Sequence, residues 1–253
     1  MSYIDFNCFT GNWPFYRVRY NTLEKLSQLH QRIGITGGFV SALEAIFYQD
    51  PYEAELALAK ELKGTSYRHA MILNPTLPGW KDDLRRALRD LDIKAIRLMP
   101  GYHSYLLTDP VTEEAAAAIQ ETGLPLLLTL RVVDDRAAYG IRPRPIPDDE
   151  ILAFLEQNPG IPTVLANIRL AQLKNYTHLF ETRKNLFIDT SGFMAGLFPV
   201  EDAWPLVQGQ MLFGTNAPLT EMQSIFHILN TAAVDGSAKE AILTGSSFLN
   251  FIK

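Results

Sequence analysis

PLLLTL at positions 125–130 and PTVLAN at positions 162–167 decide the architecture. A strand with one wet face alternates apolar and polar residues. These two runs are apolar on both alternating faces, as in a strand covered by helices on one side and by interior packing on the other. Working outward from Leu126 to Arg131 and Pro162 to Asn167, six further runs read the same way. They are Tyr3 to Phe9, Gly38 to Leu43, Tyr67 to Leu73, Ile93 to Met99, Leu186 to Asp189 and Met211 to Gly214. Longer amphipathic segments lie between them, among them Thr22 to Ile33, Pro51 to Leu62, Trp80 to Leu91 and Val111 to Thr122. Gly34, Gly64 and Gly123 stand just past helical segments, where a left-handed C-cap residue is least strained. Thr112 followed by Glu113 and Glu114 places acids in a first helical turn. Eight β–α alternations in 253 residues favour one α/β domain, a (β/α)8 TIM barrel over residues 1–253, rather than an open doubly wound sheet. No GxGxxG follows the first strand and no GxxxxGK[ST] occurs, which argues against dinucleotide and nucleotide binding.

Composition narrows the partners. Hydrophobic residues make up 47% and charged residues 20%, an ordinary globular balance. A net charge of −5 gives phosphate backbones nothing to attract them, so nucleic acid is not expected. No apolar run approaches the ~18 residues of a membrane span. With a single cysteine, Cys8, and no basic-then-apolar leader, the cytoplasm is the expected compartment. Self-association into a homo-oligomer stays open.

Taken in order, several segments carry a resemblance: YIDFNCFTG (3–11), AIRLMPGYHSYLLTDP (95–110), GLPLLLT (123–129), TVLAN (163–167), NLFIDTSG (185–192), MLFGTNAPL (211–219) and AILTGSSFLNFI (241–252). The chain resembles, over essentially its whole length, the amidohydrolase-related family of metal-dependent TIM-barrel hydrolases and decarboxylases. The resemblance implies a site at the C-terminal mouth of the barrel. It also implies a metal held by an HxH pair on the first strand, by histidines on later strands and by a final-strand aspartate that handles a proton. Here Asn7 and Phe9 stand at the HxH positions, Thr129 and Asn167 at later histidines, and Asn216 at the aspartate. Neutral amides and a hydroxyl make a poor transition-metal site, so neither metal nor other cofactor is expected. The amide of Asn216 cannot act as a base.

Charge at the mouth then becomes the question. Arg97 and Arg131 fall at or near strand ends; both ligand contact and internal pairing are open for each. A guanidinium keeps its proton and grips carboxylates with two parallel hydrogen bonds, so it can provide the fixed positive charge of a missing metal. Arg136 and Arg169 lean toward internal pairing, since Asp134 and Asp135 stand beside Arg136. His103, between Tyr102 and Tyr105 in the loop after the fourth strand, is the leading acid/base candidate, and Asp189 at the end of the seventh strand is a candidate base. Strand alternation places Asp5 on one face with Asn7 and Phe9 and turns Cys8 toward the helices. Arg17 and Arg19, with Trp13 and Phe15, belong to a loop that either reaches over the mouth or is solvated. The expected function is an amidohydrolase-like hydrolase or lyase acting on a small carboxylate-bearing substrate without the usual metal. Asn7, Arg97, Thr129, Arg131, Asn167 and Asn216 would contact substrate, with His103 and Asp189 catalytic. The alternative is an inactive barrel that binds a small acidic ligand or a partner protein.

Overall fold

The structure is a computed structural model that describes residues 2–133, 141–193 and 199–252. Its strands are β1 (Tyr3–Thr10), β2 (Ile35–Ala42), β3 (Arg68–Ile72), β4 (Ile93–Leu98), β5 (Leu126–Thr129), β6 (Thr163–Ala166), β7 (Leu186–Asp189) and β8 (Met211–Leu212). All neighbours pair in parallel in the order of the chain. The circle closes between β1 and the segment from β8 onward: Phe6 N donates to Phe213 O at 2.8 Å, Asn216 N to Asn7 O at 2.7 Å and Phe9 N to Ala217 O at 2.7 Å. The fold is a TIM barrel, as the alternation implies. Two boundaries differ from expectation for steric reasons. β2 starts before Gly38 because Gly37 lets two backbones approach: a Cβ there would lie 2.6 Å from Ser66 O. β6 stops before Asn167, which turns out of the strand at φ +61°.

Helices cover the outside: α1 (Leu23–Gln31), α2 (Pro51–Leu62), α3 (Trp80–Asp90), α4 (Pro100–His103), α5 (Pro110–Thr122), α6 (Asp148–Gln157), α7 (Leu170–Leu173), α8 (Thr177–Thr182), α9 (Val200–Ala203), α10 (Met222–Thr231), α11 (Gly236–Thr244) and α12 (Ser246–Leu249). The Thr22 side chain caps α1 by accepting from Lys25 N, and Gly123 ends α5 at φ +68°. Among the described residues no helix is long and apolar enough to cross a membrane.

The interior of the barrel is layered. Phe6, Phe39, Ala70, Ala95, Leu127, Val164, Phe187 and Leu212 pack as one apolar group, closed from below by Phe248 of α12. Phe6 stacks on Phe39 at 5.5 Å, and Phe187 meets Phe248 edge-on at 5.3 Å. Two residues further along their strands, alternation brings Ser41, Arg97, Thr129, Asp189 and Gly214 to the same inward face. The floor is therefore apolar and the next layer, toward the C-terminal mouth, is polar.

Strict alternation fails in β1. The register against β2 slips between Asp5 and Cys8, a bulge that turns both Phe6 and Asn7 inward. Asp5 consequently faces the helical layer rather than sharing a face with Asn7 and Phe9. Its carboxylate accepts from Asn7 N at 3.0 Å, Thr215 N at 3.1 Å and the Thr215 hydroxyl, and pairs with His30 Nε2 at 3.1 Å. Cys8 also faces the helical layer, as expected, with its thiol donating to Phe39 O at 3.3 Å.

Candidate active site at the barrel mouth

Arg97 organises the polar layer. It projects from β4 with no exposed surface. Its Nε donates to Ser41 Oγ at 2.8 Å, and its Nη1 donates both to Asn7 Oδ1 and to Thr129 Oγ1 at 2.8 Å. The Ser41 hydroxyl passes its own proton to Ala70 O at 2.5 Å, so it is fully used. The Phe9 ring lies against the guanidinium, 4.5 Å from ring centre to Cζ. Burial draws the Arg97 pKa down to about 10, opposed by the negative charge of Asp189 among others, so the side chain stays cationic at neutral pH. Its Nη2 has no partner among the described residues.

A relay of neutral groups leads from this cation to an anion. Asn7 Nδ2 donates to Ser191 Oγ at 3.0 Å, and Ser191 Oγ donates to Asp189 Oδ1 at 2.8 Å. Oδ1 also accepts from Asn167 N at 2.8 Å and Ser191 N at 3.2 Å. Oδ2 accepts nothing among the described residues. It lies where a side chain at position 214 would be, for a Cβ added to Gly214 would meet it at 2.6 Å. Burial raises the Asp189 pKa, and the Asn167 N–H, the Ser191 hydroxyl and the Asn7 amide only partly offset this. The outcome is a buried carboxylate with one oxygen anchored and the other left as an open acceptor.

The remaining predicted residues separate into neighbours and outsiders. Asn216, in left-handed conformation at φ +57°, donates through Nδ2 to Val132 O at 2.5 Å and to Thr220 Oγ1 at 3.0 Å, while its Oδ1 is buried and has no partner among the described residues. Arg131 Nη2 donates to Asn167 O at 2.9 Å, tying the end of β5 to the end of β6. Arg131 also lines a cavity of about 600 Å³ beside the mouth, with Tyr102, Val132, Arg142, Ile146 and Arg169. Arg144, on the same cavity, is held bidentately by Glu150 at 2.6 and 2.9 Å. His103 is placed elsewhere. At the end of α4 its Nε2 contacts Ile46 O at 3.2 Å, and burial pulls its pKa down to about 4. A neutral imidazole committed to a backbone carbonyl is a poor general acid, and no described hydrogen bond joins it to Arg97 or Asp189. His103 thus lies apart from the Arg97 and Asp189 group, with its Nδ1 buried and without a partner among the described residues. Asp134, Asp135 and Arg136 lie outside the described residues. Ser41 and Ser191 were not anticipated. Each stands two residues beyond an inward residue, Phe39 and Asp189, and that spacing was the available signal.

No family model matches the sequence, and no curated protein is significantly similar to it. Solved structures match along its whole length. A candidate amidohydrolase from Staphylococcus aureus superposes with a TM-score of 0.74 at 12% identity, covering 100% of this chain and 99% of that one. For 2,6-dihydroxybenzoate decarboxylase from Rhizobium the TM-score is 0.70 at 12% identity, with 99% and 98% covered. For a dihydroxybenzoic acid decarboxylase from Polaromonas with bound manganese it is 0.70 at 14%, with 99% and 96% covered. The chain shares its TIM-barrel fold with these three proteins.

One barrel of this fold holds manganese, which raises the question of a metal here, and the mouth residues do not fit one. Asn7 Oδ1 and Thr129 Oγ1 each accept from a guanidinium whose charge would repel a dication. Phe9 supplies no donor atom, and the Asn216 amide nitrogen faces carbonyl and hydroxyl oxygens. One group of three metal-ligand types does gather: Asp5, Cys8 and His30 have ligand atoms within 4.8 Å of one another. It sits on the outer face of β1, away from the mouth. There Asp5 is saturated with donors, His30 Nδ1 meets the Tyr67 hydroxyl at 2.8 Å, and burial together with Asp5 holds the Cys8 thiol protonated.

Proposed function

We propose that the protein is a cytoplasmic amidohydrolase-like hydrolase or lyase that acts on a small carboxylate-bearing substrate without the usual catalytic metal. The observation that carries this reading is the position of the Arg97 guanidinium, bonded to Asn7 and Thr129 at two of the positions that resemble metal-ligand sites. It provides a fixed positive charge in a buried polar layer, where it acts on a substrate carboxylate or on a developing oxyanion with little reorganisation. Asp189 Oδ2 is the base. Its raised affinity for protons and open lone pair suit it to take a proton from an attacking water or from the substrate. The arginine-bearing cavity beside Arg131 holds the rest of the acid, with Val132 and Ile146 against its apolar part. The 2,6-dihydroxybenzoate bound by a barrel of the same shape supports the choice of small acids.

Elemental analysis of the purified protein, combined with turnover assays on lactones and β-keto acids, tests this. Turnover that survives chelation and is lost in Asp189→Asn is expected. Stoichiometric zinc or manganese, with activity abolished by chelators, would sink the metal-free reading. A second reading keeps the ligand and drops the reaction, and it is favoured by the complete burial of Arg97 and Asp189. On that reading carboxylates raise the melting temperature while no variant or wild-type protein turns over any acid in the panel.

A further inference from the structure

The loop between β1 and α1, with the first turn of α1, holds three cations that the reaction does not use. Residues 12–25 carry Arg17, Arg19 and Lys25 against a single acid, Glu24, in a chain whose net charge is −5. The ends of the loop are pinned where Gly11 N donates to Asn21 O at 2.7 Å, giving a compact loop closed on itself. Its inside is packed. Trp13 is 5% exposed and Val18 7%, and the Trp13 ring meets Phe47 at 5.3 Å, Phe15 at 5.7 Å and Tyr102 at 5.9 Å. A loop anchored this way presents its outward side chains in fixed positions.

Those side chains surround a cleft of about 540 Å³, with Trp13 and Val18 at its base and Tyr16, Arg17, Arg19 and Lys25 around it. Among the described residues neither Arg17 nor Arg19 has a carboxylate partner; Arg19 rests 5.5 Å from the Tyr20 ring. Lys25 Nζ is steered by Asn21 Oδ1 at 3.2 Å, and Asn21 is braced on Asn12 at 2.8 Å. The acid in the segment is turned away along α1, where Glu24 accepts from Gln28 at 3.4 Å. The cleft is thus preformed, cationic and flanked by aromatic rings, and it shares no residue with the Arg97 layer.

We propose that this cleft is a second binding site, selective for small anions of two or more charges, whether phosphate- or carboxylate-bearing. Each cation is exposed and screened, so a monovalent anion gains little from any one of them. A polyvalent anion engages Arg17, Arg19 and Lys25 together and stacks any ring on Tyr16. The test is calorimetric titration of the full chain with pyrophosphate, citrate and acetate at low ionic strength. Arg17→Gln/Arg19→Gln is the first variant, and Arg142→Gln, an exposed arginine of the mouth cavity, is the second. Saturable binding of pyrophosphate or citrate is expected, at least about tenfold weaker in the double variant and unchanged in Arg142→Gln, whereas acetate, whose single charge suits only the mouth, should bind equally in the wild type and the double variant. Whichever polyanion binds identifies the phosphate or the carboxylate source. Pyrophosphate or citrate binding that is as tight in the double variant as in the wild type, that is lost instead in Arg142→Gln, or that never saturates overturns the proposal. Because the readout is binding alone, it stands or falls separately from the proposed reaction.

Discussion

Two buried polar clusters lie on opposite sides of β1, and they treat their hydrogen bonds differently. On the outer side, Asp5, His30, Tyr67 and Thr215 complete one another: both carboxylate oxygens and both imidazole nitrogens have partners. On the inner side, Arg97, Asn7, Ser191 and Asp189 are linked as tightly, yet Arg97 Nη2 and Asp189 Oδ2 are left over. Buried polar atoms without partners are rare because each forfeits its hydration. A saturated cluster is a structural clamp. One with a spare donor and a spare acceptor in the layer facing the mouth is built to receive something.

The largest effect should come from breaking the saturated cluster. Asp5→Ala strands His30 and two backbone N–H groups, and removing one partner of a buried pair costs about 3–5 kcal/mol. Urea unfolding would read this directly. A loss under about 1 kcal/mol would mean that the outer cluster is not the clamp described. Gly214→Ala probes the inner layer from its back wall. Its new Cβ would meet Asp189 Oδ2 at 2.6 Å and the Asp189 Cβ at 2.8 Å, so overpacking of about 1–3 kcal/mol is expected together with loss of turnover. Unchanged melting and activity would show that Asp189 has room to move.

How much of this could be foreseen turns on what strand periodicity can carry. PLLLTL and PTVLAN revealed buried strands, and the eight runs placed every strand to within a few residues, because burial on both faces leaves a compositional trace. Alternation turned Cys8 toward the helices correctly. It misplaced Asp5, since a bulge leaves no compositional mark and inverts the face of everything before it. Ser41 and Ser191 were missed because small hydroxyl residues look alike in loops and in sites. His103 attracted attention by type and position, and neither shows that its Nε2 meets Ile46 O.

His103 offers the next comparison, through pH. Its folded pKa is depressed from 6.5 to about 4, so its contribution to stability is fully present above pH 6.5 and is lost as the pH falls through about 4. In His103→Gln that dependence should flatten across the same window, whereas turnover at neutral pH should persist. Loss of turnover with unchanged melting would return His103 to the catalytic group.

The smallest effect on stability, and the sharpest separation of the clusters, is expected for Asp189→Asn. The substitution keeps an oxygen for the donors on Oδ1 and removes a charge that burial disfavours; set against this is the lost attraction to Arg97. The two contributions oppose, so the net change at neutral pH should stay within about 1 kcal/mol. The sign of the pH dependence is the finer check. A carboxyl whose folded pKa is raised makes the wild type lose stability as the pH climbs from the ordinary value of 3.8 through the raised one, and the asparagine variant should lack that decline. If Asp189 is the base, turnover falls at least about a hundredfold in the same protein. A variant that melts like the wild type and cannot turn over substrate would mark the inner cluster as chemical, where Asp5→Ala marks the outer one as structural.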